Sequence, residues 1–176
     1  MWCFDEGRFG LKVWFRRRWC PKGERPEWTY TDNYEWLWLY IALEPSTGDC
    51  LCLYLPYVDT LCMQLFVDRL GEYVGKQRVG LVLDNSGAHK SGGVKWPEQI
   101  QPLYLPSYSP KLNPAEAVFR YLRAKLSNRV FEKLSDLEAA LTDALSKLWQ
   151  HPATLQSLTG YPWWLDTTHN IAPLAS

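Results

Sequence analysis

Three acidic residues stand where carboxylates from separate elements can converge. Asp5 follows a short strand-like run, and Asp84 ends the apolar run Gly-Leu-Val-Leu. Glu116 lies in the first turn of a helix predicted to begin near Asn113. Carboxylate oxygens are the ligands that Mg²⁺ prefers. Two such ions can activate a water or a 3′-hydroxyl and stabilise the leaving oxygen of a phosphodiester. If the three acids converge, they could carry out metal-dependent phosphoryl transfer, a chemistry that needs several acids and no histidine nucleophile.

Two arginines share a helical stripe with Glu116. At 100° per residue, Arg120 and Arg123 follow Glu116 at i+4 and i+7, beside an apolar stripe of Ala115, Val118, Phe119, Leu122 and Leu126. One interpretation is a surface pair worth about 0.3–0.5 kcal/mol. The other is a metal ligand with phosphate-binding arginines beside it. Spacing alone favours the surface pair.

Four short apolar segments are predicted strands. The first two flank the turn cluster 45–48 and are typical of a β-hairpin, and the other two end at polar or proline residues. The four segments are 36–43, 49–55, 79–83 and 100–105. Strands early, alternating elements in the middle and helices late predict an α/β or α+β domain with a mixed sheet.

Three helices are predicted to complete the domain. The helix over 59–75 has an expected apolar face of Leu61, Leu65, Phe66 and Leu70. The second is capped by Asn113, with Pro114 in its first position. The third opens with the capping-box spacing 135–138 and buries a stripe of Leu134, Leu137, Leu141, Leu145 and Leu148. Residues 150–176 are predicted to be irregular and to pack back on the body.

Composition predicts one globular domain with uneven charge. The 176 residues hold 19 basic and 19 acidic side chains, so the chain as a whole is not a polycation. Residues 8–25 carry seven basic residues against one acid, a net of +6, and residues 111–133 carry six against two, a net of +4. These two patches could bind a polyanion, or they could be ordinary solvated side chains. The run 36–43 is too short for a membrane span, and the five scattered cysteines indicate reduced core thiols of a cytosolic protein.

Four strings resemble one family of enzymes. They are residues 83–89 (LDNSGAH), 105–116 (LPSYSPKLNPAE), 4–10 (FDEGRFG) and 40–48 (YIALEPSTG). They are similar to the DDE transposases of bacterial insertion sequences, and more narrowly to the six-thirty family of the mariner-like superfamily. The resemblance runs from about residue 2 to 150, and the Ser-Pro-x-Leu-Asn-Pro-x-Glu string is its most specific part.

The resemblance implies an α/β, RNase H-like fold, with a five-stranded mixed sheet flanked by helices. It implies a catalytic and metal-binding triad of Asp5, Asp84 and Glu116, with Asn85 and His89 in support. The implied activity is cleavage of transposon-end DNA and attack of a 3′-hydroxyl on target DNA, with Mg²⁺ as cofactor and Mn²⁺ as its substitute. Five arginines are the candidate DNA contacts: Arg16, Arg17, Arg18, Arg120 and Arg123.

The expected organisation is a catalytic domain over 1–150 and a packed tail over 151–176. Family members carry an N-terminal helix-turn-helix region, whereas Met1 lies four residues before Asp5. The expected partners are DNA and either a second copy of the chain or a separately encoded helix-turn-helix part. The expected location is the nucleoid in the cytoplasm, and no membrane partner is expected. The alternative is a non-catalytic or decayed transposase fragment that acts as an interaction module for full-length transposase.

Overall fold

The computed structural model describes residues 1–17, 19–24, 27, 33–85 and 93–171. These residues include five strands: β1 (Trp2–Gly10), β2 (Trp36–Glu44), β3 (Asp49–Leu55), β4 (Val79–Leu83) and β5 (Ile100–Tyr104). They also include five α-helices: α1 (Thr60–Val74), α2 (Ala115–Leu126), α3 (Leu134–Gln150), α4 (Pro152–Thr159) and α5 (Pro162–Ile171). A short 3-10 helix, Pro110–Leu112, precedes α2.

The strands form one mixed sheet in the order β3-β2-β1-β4-β5. The hairpin strands β2 and β3 are antiparallel, β2 also pairs antiparallel with β1, and β1, β4 and β5 run parallel. The predicted five-stranded mixed sheet is therefore confirmed. Strand β1 lies at its centre, which places Asp5 in the middle of the domain.

The two faces of the sheet carry separate cores. Alternate residues of a strand point to opposite faces, so Phe4 packs with the α1 side while Cys3 and Phe9 pack with α2, α3 and α4. The predicted apolar stripe of α2 is confirmed, because its five members are at most 5% exposed. The leucine stripe of α3 is also core, with Leu134 at its partly buried margin.

The predicted apolar face of α1 is confirmed for Phe66 and Leu70, which are fully buried, and wrong for its other two members. Leu61 and Leu65 are 78% and 48% exposed, although both belonged to the expected apolar face. The helix instead buries Met63 and Val67 together with Phe66. Asp59 caps this helix by accepting a hydrogen bond from the Cys62 backbone at 2.7 Å. Packing against the sheet therefore decides which of several apolar residues are buried.

Two further local predictions need correction. Helix α3 begins at Leu134 after Lys133, without a side-chain cap, so the predicted capping box at 135–138 does not form. The tail predicted to be irregular contains α4 and α5. Its prolines open these helices instead of breaking them, since proline has no N–H and suits the first helical turn. Leu155 and Trp164 bury the two helices in the core shared with α2 and α3.

Candidate active site

The register of β1 and β4 brings two of the predicted acids together. Cys3 pairs with Val82 in a parallel ladder. Two residues further on stand Asp5, within β1, and Asp84, directly after the last residue of β4. Neighbouring strands lie about 4.8 Å apart, so the end of β4 delivers Asp84 beside Asp5.

Helix α2 reaches the same point because β1 has a glycine there. Gly7 lies on the face of β1 that also carries Asp5, and a Cβ at this position would meet the Phe119 ring at 2.3 Å. The absent side chain lets Phe119 pack directly on the strand. Glu116 lies three residues earlier on the helix, about one turn away, and is thereby brought over Asp5.

Asn113 ties the start of α2 to β1. Its side chain is 4% exposed, and its Nδ2 donates to the Phe4 carbonyl at 2.8 Å. Its Oδ1 accepts from the Ala115 backbone at 3.1 Å, as expected of a cap, although the helix is assigned from Ala115. The amide thus acts both as a cap and as a link between the elements that carry Asp5 and Glu116.

The three acids line one cavity, which we call the carboxylate cavity. Its volume is about 440 Å³, and the loop between β5 and the 3-10 helix forms its other wall. In that loop Tyr108 has a φ of 59°, in the left-handed region. Asn85 also lines the cavity, and its Nδ2 donates to the Ser107 hydroxyl at 3.2 Å.

Crowding of negative charge shows in the acidity of Asp5. Burial raises the pKa of Asp5 to about 8, and repulsion from Glu116, Glu6 and Asp84 adds to the effect. The Glu6 backbone N–H donates to Asp5 Oδ1 at 3.0 Å and acts in the opposite direction. Without a cation, Asp5 is therefore largely protonated at neutral pH.

The donor set suits a hard divalent cation. Three carboxylates face one cavity, and the buried Asn85 Oδ1 has no hydrogen-bond partner within the described part of the chain. Oxygen donors of this kind fit Mg²⁺ or Mn²⁺. Among the described residues, no three His, Cys, Asp or Glu side chains lie close enough together to hold a metal ion as they stand. The residues therefore match such an ion in the chemistry of their oxygen donors.

The predicted arginines lie in different surroundings. Arg120 lies near Glu116 and donates to the Tyr161 hydroxyl at 3.3 Å. The Arg123 guanidinium instead lies over the rings of Phe9, Trp14 and Phe119, 5.0–5.9 Å from their centroids.

The remaining predicted positions lie on the segment after β1 or outside the described residues. Arg16 and Arg17 are exposed on that segment. The Arg16 backbone N–H donates to Asn128 Oδ1 at 2.9 Å. Arg18 and His89 lie outside the described residues.

Sequence reasoning missed the contribution of the C-terminal helices. Tyr161 and Trp163 line a second cavity that also contains Glu116 and Arg120. The signal was present as two prolines, each followed by helix-compatible residues, but proline was interpreted as a breaker. Gln156 fixes α4 by donating to the Ser46 carbonyl at 2.8 Å, which holds the segment against the β2–β3 turn.

The central β1 with parallel β4 and β5, the antiparallel β2–β3 hairpin and the flanking helices make up an RNase H-like fold. The family follows from the sequence. Residues 1–138 match the family described as DDE superfamily endonuclease, and the chain belongs to it. Within this chain, 131 residues are 35% identical to a Sinorhizobium fredii protein named uncharacterized protein y4pE/y4sA. The match covers 73% of this chain and 96% of that protein.

Solved structures of the Mos1 transposase share the fold. The Mos1 mariner paired-end complex with Mn aligns over 90% of this chain and 53% of its own, with a TM-score of 0.64 and 16% identity. The catalytic domain of Mos1 mariner transposase aligns over 90% of this chain and 78% of its own, with a TM-score of 0.57 and 16% identity. The chain therefore spans about half the length of the Mos1 chain in the paired-end complex. The predicted RNase H-like fold and DDE membership are confirmed. Among the described residues no helix is long and apolar enough to cross a membrane.

Proposed function

We propose that this chain is the catalytic domain of an insertion-sequence transposase that cleaves DNA strands and transfers them by in-line phosphoryl transfer. The supporting observation is the carboxylate cavity, where Asp5, Asp84 and Glu116 meet from three separate elements. Family membership supports the nuclease chemistry. The fold shared with Mos1 transposase supports the narrower assignment.

Each acid of the proposed site is held by a different element of the fold. Asp5 is fixed by the central strand and Asp84 by the end of β4, while Glu116 moves only with α2. These three carboxylates would hold Mg²⁺ or Mn²⁺, with Asn85 Oδ1 as a further oxygen donor. Such ions, when bound, supply Lewis-acid activation of the attacking oxygen and stabilisation of the leaving one.

The chain's own residues prepare the site for this role. Asp5 holds a proton while the cavity lacks a cation, because burial and neighbouring carboxylates raise its pKa to about 8. As a ligand Asp5 would release this proton, so affinity for the ion would rise with pH. Asn113 keeps the Glu116 helix against β1, and this contact fixes the separation of two ligands before DNA arrives.

Metal-dependent nicking of DNA by the full chain tests the proposal. We expect cleavage that requires Mg²⁺ or Mn²⁺ and is lost in Asp84→Ala, while the exposed Glu98→Gln serves as a matched acidic control. Thermal unfolding gives a second readout. An ion at ~100 times its dissociation constant stabilises the fold by about 2.7 kcal/mol, and Asp84→Ala should lose this shift.

Two outcomes would refute the assignment. Cleavage that survives Asp84→Ala would place the chemistry elsewhere. A well-folded wild-type chain that neither binds metal nor cuts DNA, even with a supplied recognition domain, would favour the alternative of a non-catalytic interaction module. Pairing with a second copy or with a helix-turn-helix part, and a nucleoid location, belong to the same proposal.

A further inference from the structure

A second cavity adjoins the carboxylate cavity and is not used by the proposed metal site. We call it the aromatic cavity. Its volume is about 470 Å³, and it shares Pro110, Asn113 and Glu116 with its neighbour. A polymer bound at the three acids would therefore continue into this space.

One wall of the aromatic cavity is a stacked pair of rings. Tyr161 and Trp163 lie nearly parallel, with an interplanar angle of 10° and centroids 5.9 Å apart. Trp164 is 5% exposed and anchors α5 in the core. Successive helical residues project about 100° apart, so anchoring Trp164 turns Trp163 outward, where it is 43% exposed.

The other wall supplies positive charge. Lys111 and Arg120 both line the cavity. Arg120 donates one hydrogen bond, to the Tyr161 hydroxyl, and neither cation forms an ion pair with a described residue. A guanidinium has five N–H donors, so most of those of Arg120 stay available for an anion.

We infer that the aromatic cavity binds the DNA strand next to the reacting phosphate, with one nucleobase stacked on Trp163 and a phosphate held by Lys111 and Arg120. An aromatic platform beside cations is the combination that binds single strands without reading their sequence. The inference rests on the proposed function for the identity of the polymer. It adds the position and chemistry of a strand-binding subsite, provided by the 3-10 helix, by α2, and by α5 with the tyrosine that precedes it.

Affinity for a fluorescein-labelled single-stranded DNA of about 12 nucleotides tests the stacking contact. The full chain is titrated in EDTA, so cleavage does not interfere. Stacking on one base corresponds to about a 5- to 150-fold change in affinity. We expect Trp163→Ala to weaken binding within this range and Trp163→Phe to recover most of the loss. Trp149→Ala is the matched control, because Trp149 is 42% exposed but does not line either cavity.

Salt dependence of the same binding tests the phosphate contact. Each phosphate contact on a single strand contributes about 0.7 to the slope of log affinity against log salt. Arg120→Gln should lower the slope by about this amount. Arg78→Gln should not change the slope, since Arg78 is exposed at the far end of β4 from Asp84.

The outcomes separate this inference from the proposed function. If the Trp163→Ala variant binds the single-stranded DNA as tightly as the Trp149→Ala variant does, the inferred subsite is overturned, even if cleavage depends on Asp84. A wild-type chain that cuts no DNA but loses binding in Trp163→Ala overturns the transposase assignment and leaves the subsite standing. Asp84→Ala should abolish cleavage and keep the dependence of binding on Trp163.

Discussion

Replacing Asp5 with asparagine should change how the stability of the metal-free protein depends on pH. Burial, with repulsion from Glu116 second, raises the pKa of Asp5 from its ordinary 3.8 to about 8. Between these values the folded protein holds a proton that the unfolded chain has released. The free energy of unfolding therefore falls as pH rises from about 4 to about 8. Asp5→Asn cannot ionise and removes this decline.

The magnitude follows from the same two values. One pKa unit corresponds to about 1.36 kcal/mol, so the upper limit at pH 8 is about 5 kcal/mol. Asp84 is exposed and its repulsion is screened by water and salt, and Asp5 itself is only partly buried. We therefore expect Asp5→Asn to be more stable than wild type by about 2–3 kcal/mol at pH 8. The difference should vanish near pH 4.

Urea denaturation in EDTA at roughly pH 4.5, 6 and 8 measures this difference in the free energy of unfolding. These three pH values span the range between the unfolded and folded pKa of Asp5, where the difference should grow. Asparagine retains an Oδ1 that can accept from the Glu6 backbone, so the local hydrogen bond is preserved. Glu98→Gln removes an exposed carboxylate and should follow wild type at each pH. Mg²⁺ at ~100 times its dissociation constant should remove most of the difference between wild type and Asp5→Asn, because it adds about 2.7 kcal/mol to the chain that keeps all three carboxylates and less to the variant.

Equal stabilities of wild type and Asp5→Asn at pH 4.5 and 8 would refute the crowding argument. The Asp5 carboxyl would then be solvated in the apo protein, and the acids would not converge as described. A variant less stable than wild type at pH 8 in EDTA would also contradict it, since the charged form would then be the stabilised one.

Three structural predictions concern the elements that position the site. Gly7→Ala should destabilise the fold by about 1–3 kcal/mol, because its Cβ would meet the Phe119 ring; an unchanged urea midpoint would contradict this packing. Asn113→Ala should cost about 1–3 kcal/mol by leaving the Phe4 carbonyl unpaired. The cleavage rate should fall by a larger factor than the fraction of folded protein does. Equal losses of rate and of folded fraction would show that Asn113 has a structural role alone. Asp59→Ala should cost about 1 kcal/mol in thermal unfolding by removing a helix cap, with cleavage unchanged below the transition.

Local sequence patterns predicted the strands well because their signals are short and chemical. Two apolar runs flanking the Pro-Ser-Thr-Gly turn needed no tertiary information, and β2 and β3 lie where these patterns indicated. The face of α1 was less predictable. The helix carries apolar residues on several sides, so its sequence alone does not tell whether Leu61 or Met63 is buried. Packing against the sheet buries Met63 and leaves Leu61 exposed.

The second cavity lay beyond sequence reasoning for a different reason. Its rings come from Tyr161 and Trp163, more than 40 residues from Glu116, and no spacing rule connects them. Their placement depends on how α4 docks on the β2–β3 turn. Gly48 has a φ of 77° and no side chain to block the Pro152 carbonyl, which permits that contact. Only the folded chain displays such a relation.

The features that weaken the apo fold are those that the proposed reaction requires. Three carboxylates in one cavity repel each other, and Asp5 responds by keeping a proton. If the acids were separated on the surface, the metal-free fold would be more stable, but a cation would gain less from binding between them. Asn113 and the Gly7–Phe119 contact oppose the repulsion by holding α2 on β1. The acids cannot relax by moving apart, so a proton on Asp5 relieves the repulsion in the metal-free protein. In the proposed function a divalent ion would take over this role, and the exchange would depend on both pH and ion concentration.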